Sequence, residues 1–232
     1  KKMTSFDKTD HLGSIGSTKI RDANTVKILF ELKGHNLLIS DCIFSSDGTK
    51  TIALSWDSTY QVRNVATGKL LIDLSPYNFW RNPFSDDGKQ LLLIDKENSV
   101  VLLDASNGKI INRVKKEGLV FKDAQLSSDG KKIMSFVDKS HVMFWDAMNG
   151  NLLSELKSKD RFSYFRTYLS PDGEKVATVS TDTVTVVDAN SGNILMQCTG
   201  QLPLPFAFSR DGKKILTVSK KNEIGVWDIN VF

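Results

Sequence analysis

Ser127-Ser128-Asp129-Gly130 has four close copies in the chain: Ser45-Ser46-Asp47-Gly48, Ser85-Asp86-Asp87-Gly88, Ser170-Pro171-Asp172-Gly173 and Ser209-Arg210-Asp211-Gly212. The five glycines are spaced by 40, 42, 43 and 39 residues. A second turn follows the first four at matching distance, at Thr67-Gly68, Asn107-Gly108, Asn149-Gly150 and Ser191-Gly192, with steps of 40, 42 and 42. Glycine tolerates the positive φ of tight turns, so both series read as hairpin corners. Two turn series sharing one period define an internal repeat.

The segments between corners are short and apolar or alternating: Thr51-Ile52-Ala53-Leu54, Gln90-Leu91-Leu92-Leu93-Ile94, Lys175-Val176-Ala177-Thr178-Val179 and Thr183-Val184-Thr185-Val186-Val187. These are strand signals, and no stretch of twelve or more residues keeps an uninterrupted helical spacing. One unit read through predicts strand a at 121–126, strand b at 132–137, strand c at 141–146 and strand d at 151–156. The inner strands are apolar on both faces, as strands covered by neighbouring sheets must be. Ser154 and Glu155 make strand d more polar, which suits an outer edge. A four-stranded unit of forty-odd residues is the signature of a propeller blade. The predicted fold class is therefore all-β: a β-propeller of four-stranded antiparallel blades, with five to six blades or partial blades in this chain.

The chain has 232 residues, a formal charge of +4, 40% hydrophobic and 25% charged residues. This is an ordinary globular composition, unlike disordered or collagen-like chains. The basic excess is too small to argue for nucleic acid, and no run reaches the roughly eighteen apolar residues of a membrane helix. Cys42 and Cys198 cannot form a disulfide scaffold and suit a reducing, cytoplasmic compartment. The chain opens Lys1-Lys2-Met3-Thr4, which reads as a fragment of a longer polypeptide.

Trp145-Asp146 and Trp227-Asp228 end strand c in two units, with Asn64, Asp104 and Asp188 at the equivalent place in others. Gly34-His35 precedes the first strand a, and Ser170-Pro171-Asp172-Gly173 forms an a–b corner. In these features residues 24–232 resemble the WD40 repeat family. The family's tryptophan is replaced by Arg63, Leu103 and Val187, and the Gly-His occurs once. The hydrogen-bonded His–Ser–Asp–Trp set that the resemblance implies is thus incomplete: His35, Ser55 and Asp57 are present, with Arg63 in the tryptophan position. Trp227 is expected in a strand core, where its loss would cost on the order of 3–5 kcal/mol.

The predicted organisation is a single domain over 1–232, with full units at 34–76, 77–116, 117–158 and 159–200 and a last partial unit at 201–232. Residues 1–33 have two readings. Either 28–32 is a closing strand d of a five-bladed ring, or strands b, c and d of an earlier blade lie in 1–33 and the chain is an arc of a seven-bladed ring. Ile20-Arg21-Asp22 matches Val62-Arg63-Asn64 at a spacing of 42, which favours the arc.

Three scattered histidines, His11, His35 and His141, offer no metal-ligand spacing. His35 reads as a turn residue bonded to its blade, and His141 as an exposed loop residue. The Asp-Gly pairs stand singly, not as a calcium ladder, and read as turns. Asn190-Ser191-Gly192-Asn193 reads as a β-turn and not a phosphate cradle, and Cys42 as a small core residue. No nucleophile elbow or phosphate loop occurs. The expectation is a protein without catalytic activity, metal or cofactor.

The resemblance implies that the d–a and b–c loops form a narrow face that binds partners. Counting from the a–b serines places Trp80, Arg81, Lys122, Phe165 and Arg166 near that face, and the b–c turns add Trp56 and Thr181. Aromatic residues and arginine are enriched in interface hot spots, and Lys115, Lys116, Lys159, Arg161, Lys220 and Lys221 lie in nearby loops. Packing of Trp80 and Phe165 between blades is the competing reading. An aromatic and basic rim suits a protein or an acidic peptide segment. The expected function is a protein-interaction scaffold within a larger protein. The alternatives are a sensor propeller of a nucleotide-dependent switch protein of the STAND or NLR kind, and a propeller enzyme.

Overall fold

The structure is a computed structural model that describes residues 2–6, 18–32, 35, 37, 39–57, 59–78, 82–138, 141–157, 167–179, 183–200 and 206–229. The described residues form 22 strands and no helix. The first sheet joins β1 (Lys2–Phe6), β2 (Thr18–Asp22) and β3 (Ile28–Leu32), in that order. The second is β4 (Ile39–Phe44), β5 (Lys50–Ser55), β6 (Tyr60–Asn64) and β7 (Leu70–Asp73). The third is β8 (Tyr77–Asn78), β9 (Gln90–Asp95), β10 (Val100–Asp104) and β11 (Ile110–Val114). The fourth is β12 (Asp123–Leu126), β13 (Lys132–Asp138), β14 (His141–Asp146) and β15 (Leu152–Lys157). The fifth is β16 (Thr167–Leu169), β17 (Lys175–Val179), β18 (Thr183–Asp188) and β19 (Ile194–Thr199). The sixth is β20 (Ala207–Phe208), β21 (Lys214–Val218) and β22 (Ile224–Asp228).

The described part of strand a is two residues long in the third and sixth sheets. Pro83 has no N–H to give, and between Asn78 and Ser85 the described pairing is a single bridge of Phe84 to Leu91. The chain divides into two compact units, Lys1–Glu97 with Val101–Ile111, and Asn98–Val100 with Asn112–Phe232.

Each a–b corner is built by one set of bonds. In the fourth sheet Ser127 Oγ donates to Asp129 Oδ1 at 2.7 Å and accepts from Lys132 N at 2.9 Å, while Gly130 N donates to Ser127 O at 2.9 Å. Ser45, Ser85, Ser170 and Ser209 repeat the serine–aspartate bond at 2.6, 2.7, 2.6 and 2.6 Å. The aspartates are therefore spent on closing turns. At Asp47 burial opposes ionisation, but bonds from Ser45 and Thr49 hold the carboxyl down at about 2.

Successive sheets stack in register within each unit. A Cβ on Gly88 would meet Asp47 and Ser45 at 3.0 Å, and one on Gly212 would meet Asp172 at 3.0 Å, so neighbouring a–b corners touch. The c–d glycines sit against the outer strand of the sheet before. Gly68 approaches Phe30, Gly108 approaches Ile72, and Gly192 approaches Leu156. Phe30 therefore stands to the second sheet as Ile72 stands to the third, and β1–β2–β3 packs as the sheet preceding β4–β7.

The cores lie between sheets. Ile20 and Leu32 bury with Ala53 and Val65, and Ile52, Val62 and Ile72 bury with Leu91 and Ala105. In the second unit Phe136, Val142 and Phe144 bury with Val176 and Ala189, while Val184 and Val186 bury with Ile215 and Ile229.

A feature that the turn series does not announce is a register shift at one place in four sheets, between Ile20/Arg21, Val62/Arg63, Phe144/Trp145 and Val186/Val187. A bulge re-aims the side chains beside it. It leaves the first residue of strand d, Ile28, Leu70, Leu152 and Ile194, exposed.

Candidate functional site

The strand-c aspartates and their asparagine counterpart cap the c–d corners. Asp188 Oδ1 accepts from Asn190 N, Ser191 N and Ser191 Oγ at 3.1, 2.7 and 2.8 Å, and Asn64 Oδ1 accepts from Ala66 N and Thr67 N at 2.9 and 3.0 Å. Asp104 and Asp146 do the same for Ser106 and Met148. Asp228 pairs with Lys214 across the strands. Asn190-Ser191-Gly192-Asn193 is a turn closed by the Asp188 carboxylate.

His35 is buried, and its Nδ1 lies 2.7 Å from Thr59 Oγ1, whose hydroxyl donates to Asp57. Ser55 Oγ donates to Leu37 O at 3.2 Å and accepts from Asp57 N at 3.3 Å. His35, Ser55 and Asp57 thus meet in one network, with Thr59, which the sequence reading missed, as the link. Arg63 turns along its own strand to Gln61 Oε1 and Gly68 O.

The serine that serves a strand-c tryptophan lies elsewhere. Trp145 Nε1 donates to Ser135 Oγ at 2.8 Å, and Trp227 Nε1 donates to Thr217 Oγ1 at 2.8 Å. A ten-residue spacing between hydroxyl and tryptophan was the available signal. Ala53 holds the matching place in β5, since Thr51 pairs with Arg63 as Ile133 pairs with Trp145.

Two expectations need correction. His141 is a buried strand residue, because it opens β14 and pairs with Lys157. Trp227 is 36% exposed, against 4% for Trp145. Trp145 also packs edge-on against Phe121 at 5.9 Å. Cys42 is half-buried, and burial pushes its thiol up to about 12, which suits packing better than nucleophilic work.

Of the rim residues, Trp56 and Lys122 are described. Trp56 stands 70% exposed on the b–c corner, between Ser55 and Asp57. Lys122 is exposed, and its amide donates to Phe136 O at 2.7 Å. The two belong to different compact units. Trp80, Arg81, Phe165, Arg166 and Thr181, with Lys159, Arg161 and His11, lie outside the described residues. Lys115, Lys220 and Lys221 are exposed. Among the described residues no group of three or more His, Cys, Asp or Glu could hold a metal ion. No helix is long and apolar enough to cross a membrane.

No protein-family model matches the chain. A stretch of 37 residues, 16% of this chain and 12% of the relative, is 49% identical to MST50-interacting protein 11 of Pyricularia oryzae. The crystal structure of the C-terminal WD40 domain of Sif2 matches with a TM-score of 0.61 and 16% identity, over 92% of this chain and 61% of that one. The chain has the fold of a WD40-type β-propeller, built from four-stranded antiparallel blades.

Proposed function

We propose that this chain is a non-catalytic protein-interaction scaffold that presents its d–a and b–c loops to an acidic segment of a partner. The observation that carries this reading is Trp56. Its neighbours Ser55 and Asp57 are fixed by hydrogen bonds, yet the indole stands 70% exposed. A rigid corner holding out an aromatic ring loses little freedom on binding, and tryptophan is a frequent interface anchor. Lys122, Lys220 and Lys221 stand exposed and supply positive charge for carboxylates. The name of the Pyricularia relative, an interacting protein, agrees with this reading. The test is selection of displayed random peptides on the immobilised chain. Acidic sequences should enrich, and Trp56→Ala should bind them at least tenfold more weakly with its thermal melt unchanged. Enriched peptides that ignore Trp56, or no enrichment, would overturn the reading.

We also infer that the sheets belong to a longer array. Ile224 and Val226 are 72% and 65% exposed, whereas Val142, Phe144, Val184 and Val186 at the matching places are buried against the next sheet. The equivalence follows from Ile215 pairing with Trp227 as Ile133 pairs with Trp145. A further sheet of the same repeat would cover these side chains. Carried on the encoding transcript, it should make Ile224→Lys destabilising in the longer protein and neutral in this chain. A coding sequence without another such repeat would reject the idea.

A further inference from the structure

Glu155 gathers two lysines and a histidine in the second compact unit. Lys116 Nζ lies 2.8 Å from Oε2, Lys157 Nζ lies 2.7 Å from Oε1, and His141 Nε2 lies 2.9 Å from Oε1. Strand register explains the gathering. His141 pairs with Lys157 and Met143 pairs with Glu155, so His141, Lys157 and Glu155 share one face at the end of β14 and β15. Lys116 reaches them from the loop after β11.

One carboxylate facing two lysines leaves a positive charge uncompensated, and the imidazole of His141 lies beside them. Exposed Lys115 and Lys122 flank the cluster in sequence, with exposed Glu117 between them and exposed Asp138 at the end of β13. The lysines hold the Glu155 carboxyl down at about 2, so it stays ionised at any physiological pH. A second observation points the same way. His141 Nε2 is buried and, although close to Glu155, lacks the alignment of a hydrogen bond. A buried polar nitrogen without an aligned partner calls for an explanation.

We propose that Lys116, Lys157 and His141 form a receptor for a carboxylate side chain of a protein partner, with Glu155 as the resident competitor. The resident group shows that the cup fits a carboxylate. An incoming Asp or Glu shares the lysines with Glu155 or displaces it. This deepens the acidic-segment reading and rests on it, but uses residues distant in sequence from Trp56.

The test is fluorescence polarisation with a labelled peptide of eight Asp and Glu residues, and a serine peptide as control. Glu155→Gln keeps the side-chain shape and removes the competing charge. It should tighten the acidic peptide about five-fold, the scale of one like charge removed at about 4 Å with full water screening. Lys116→Gln with Lys157→Gln should weaken it at least tenfold, and both variants should keep the wild-type thermal melt. Equal binding by wild type and Glu155→Gln would overturn the receptor. Acidic-peptide binding that survives loss of both lysines would overturn it while leaving the scaffold reading intact. Failure of the peptide selection at Trp56 would strike the scaffold reading itself.

Discussion

Trp145 donates its indole N–H to Ser135 Oγ, ten residues back on the neighbouring strand, at 2.8 Å inside the core. Ser135→Ala leaves that buried donor without an acceptor, which costs about 1–3 kcal/mol. Thr217→Val removes the same bond from Trp227, but water reaches the 36% exposed indole and the loss should be under about 1 kcal/mol. Urea unfolding of both variants checks the contrast, and equal losses would contradict it.

The two tryptophans should also differ when truncated. Trp145→Ala opens a cavity beside Phe121 and should cost about 3–5 kcal/mol. Trp227→Ala should cost less than half as much, because its sheet has one uncovered face. A thermal melt of each variant decides this, and an equal shift in midpoint would place Trp227 back in a closed core.

The corners were legible because glycine and aspartate have few other uses at a fixed period, and they located the sheets within a few residues. Trp145 and Trp227 marked strand c. Burial was less legible: identical Trp-Asp pairs end β14 and β22, yet the sheet beyond decides which is covered. His141 misled for a related reason, since its cross-strand partner Lys157 is set by register and not by local composition. The bulges at Leu29, Leu71, Leu153 and Leu195 left only a quiet mark, an aliphatic pair opening strand d. Most of the aromatic rim was inferred from position alone, and of it Trp56 has a described environment.

Val26 occupies a place that glycine takes in other sheets. It donates to Asp22 O at 2.9 Å with φ of 59°, as Gly68 donates to Asn64 O at 2.8 Å with φ of 71°. A β-branched residue is strained there by roughly 1–2 kcal/mol, and Val26 is exposed, so little packing is at stake. Val26→Gly should raise stability by about 0.5–1 kcal/mol once glycine's greater freedom in the unfolded chain is deducted. A lower unfolding midpoint would refute the strain argument.

Gly48 and Gly173 separate the two costs of adding a methyl at an a–b corner. Both have positive φ, but a Cβ on Gly48 meets nothing within 4 Å, while one on Gly173 meets Lys132 at 3.0 Å and Ser127 at 3.1 Å. Gly48→Ala should cost about 1 kcal/mol from backbone conformation alone. Gly173→Ala should cost more, because it also pushes apart two stacked corners. Equal losses in denaturant titrations would mean that the corners do not press on one another.

His35 should make stability depend on pH in a window free of the turn aspartates. Burial lowers its affinity for protons, Asp57 and Asp73 oppose that, and Arg63 adds to it, leaving the imidazole below its ordinary value of 6.5. Between that value and the lower folded one the unfolded chain binds more protons than the folded chain. The contribution of His35 is therefore complete above pH 6.5 and is lost as pH falls through the folded value. The turn carboxylates are themselves held below their ordinary range and titrate in more acidic solution, Asp47 at about 2. Urea midpoints measured from pH 8 to pH 5 should fall for the wild type. They should fall less steeply for His35→Gln, whatever that change costs at pH 8. Parallel curves would show that the imidazole titrates alike in both states and that its burial carries no electrostatic cost.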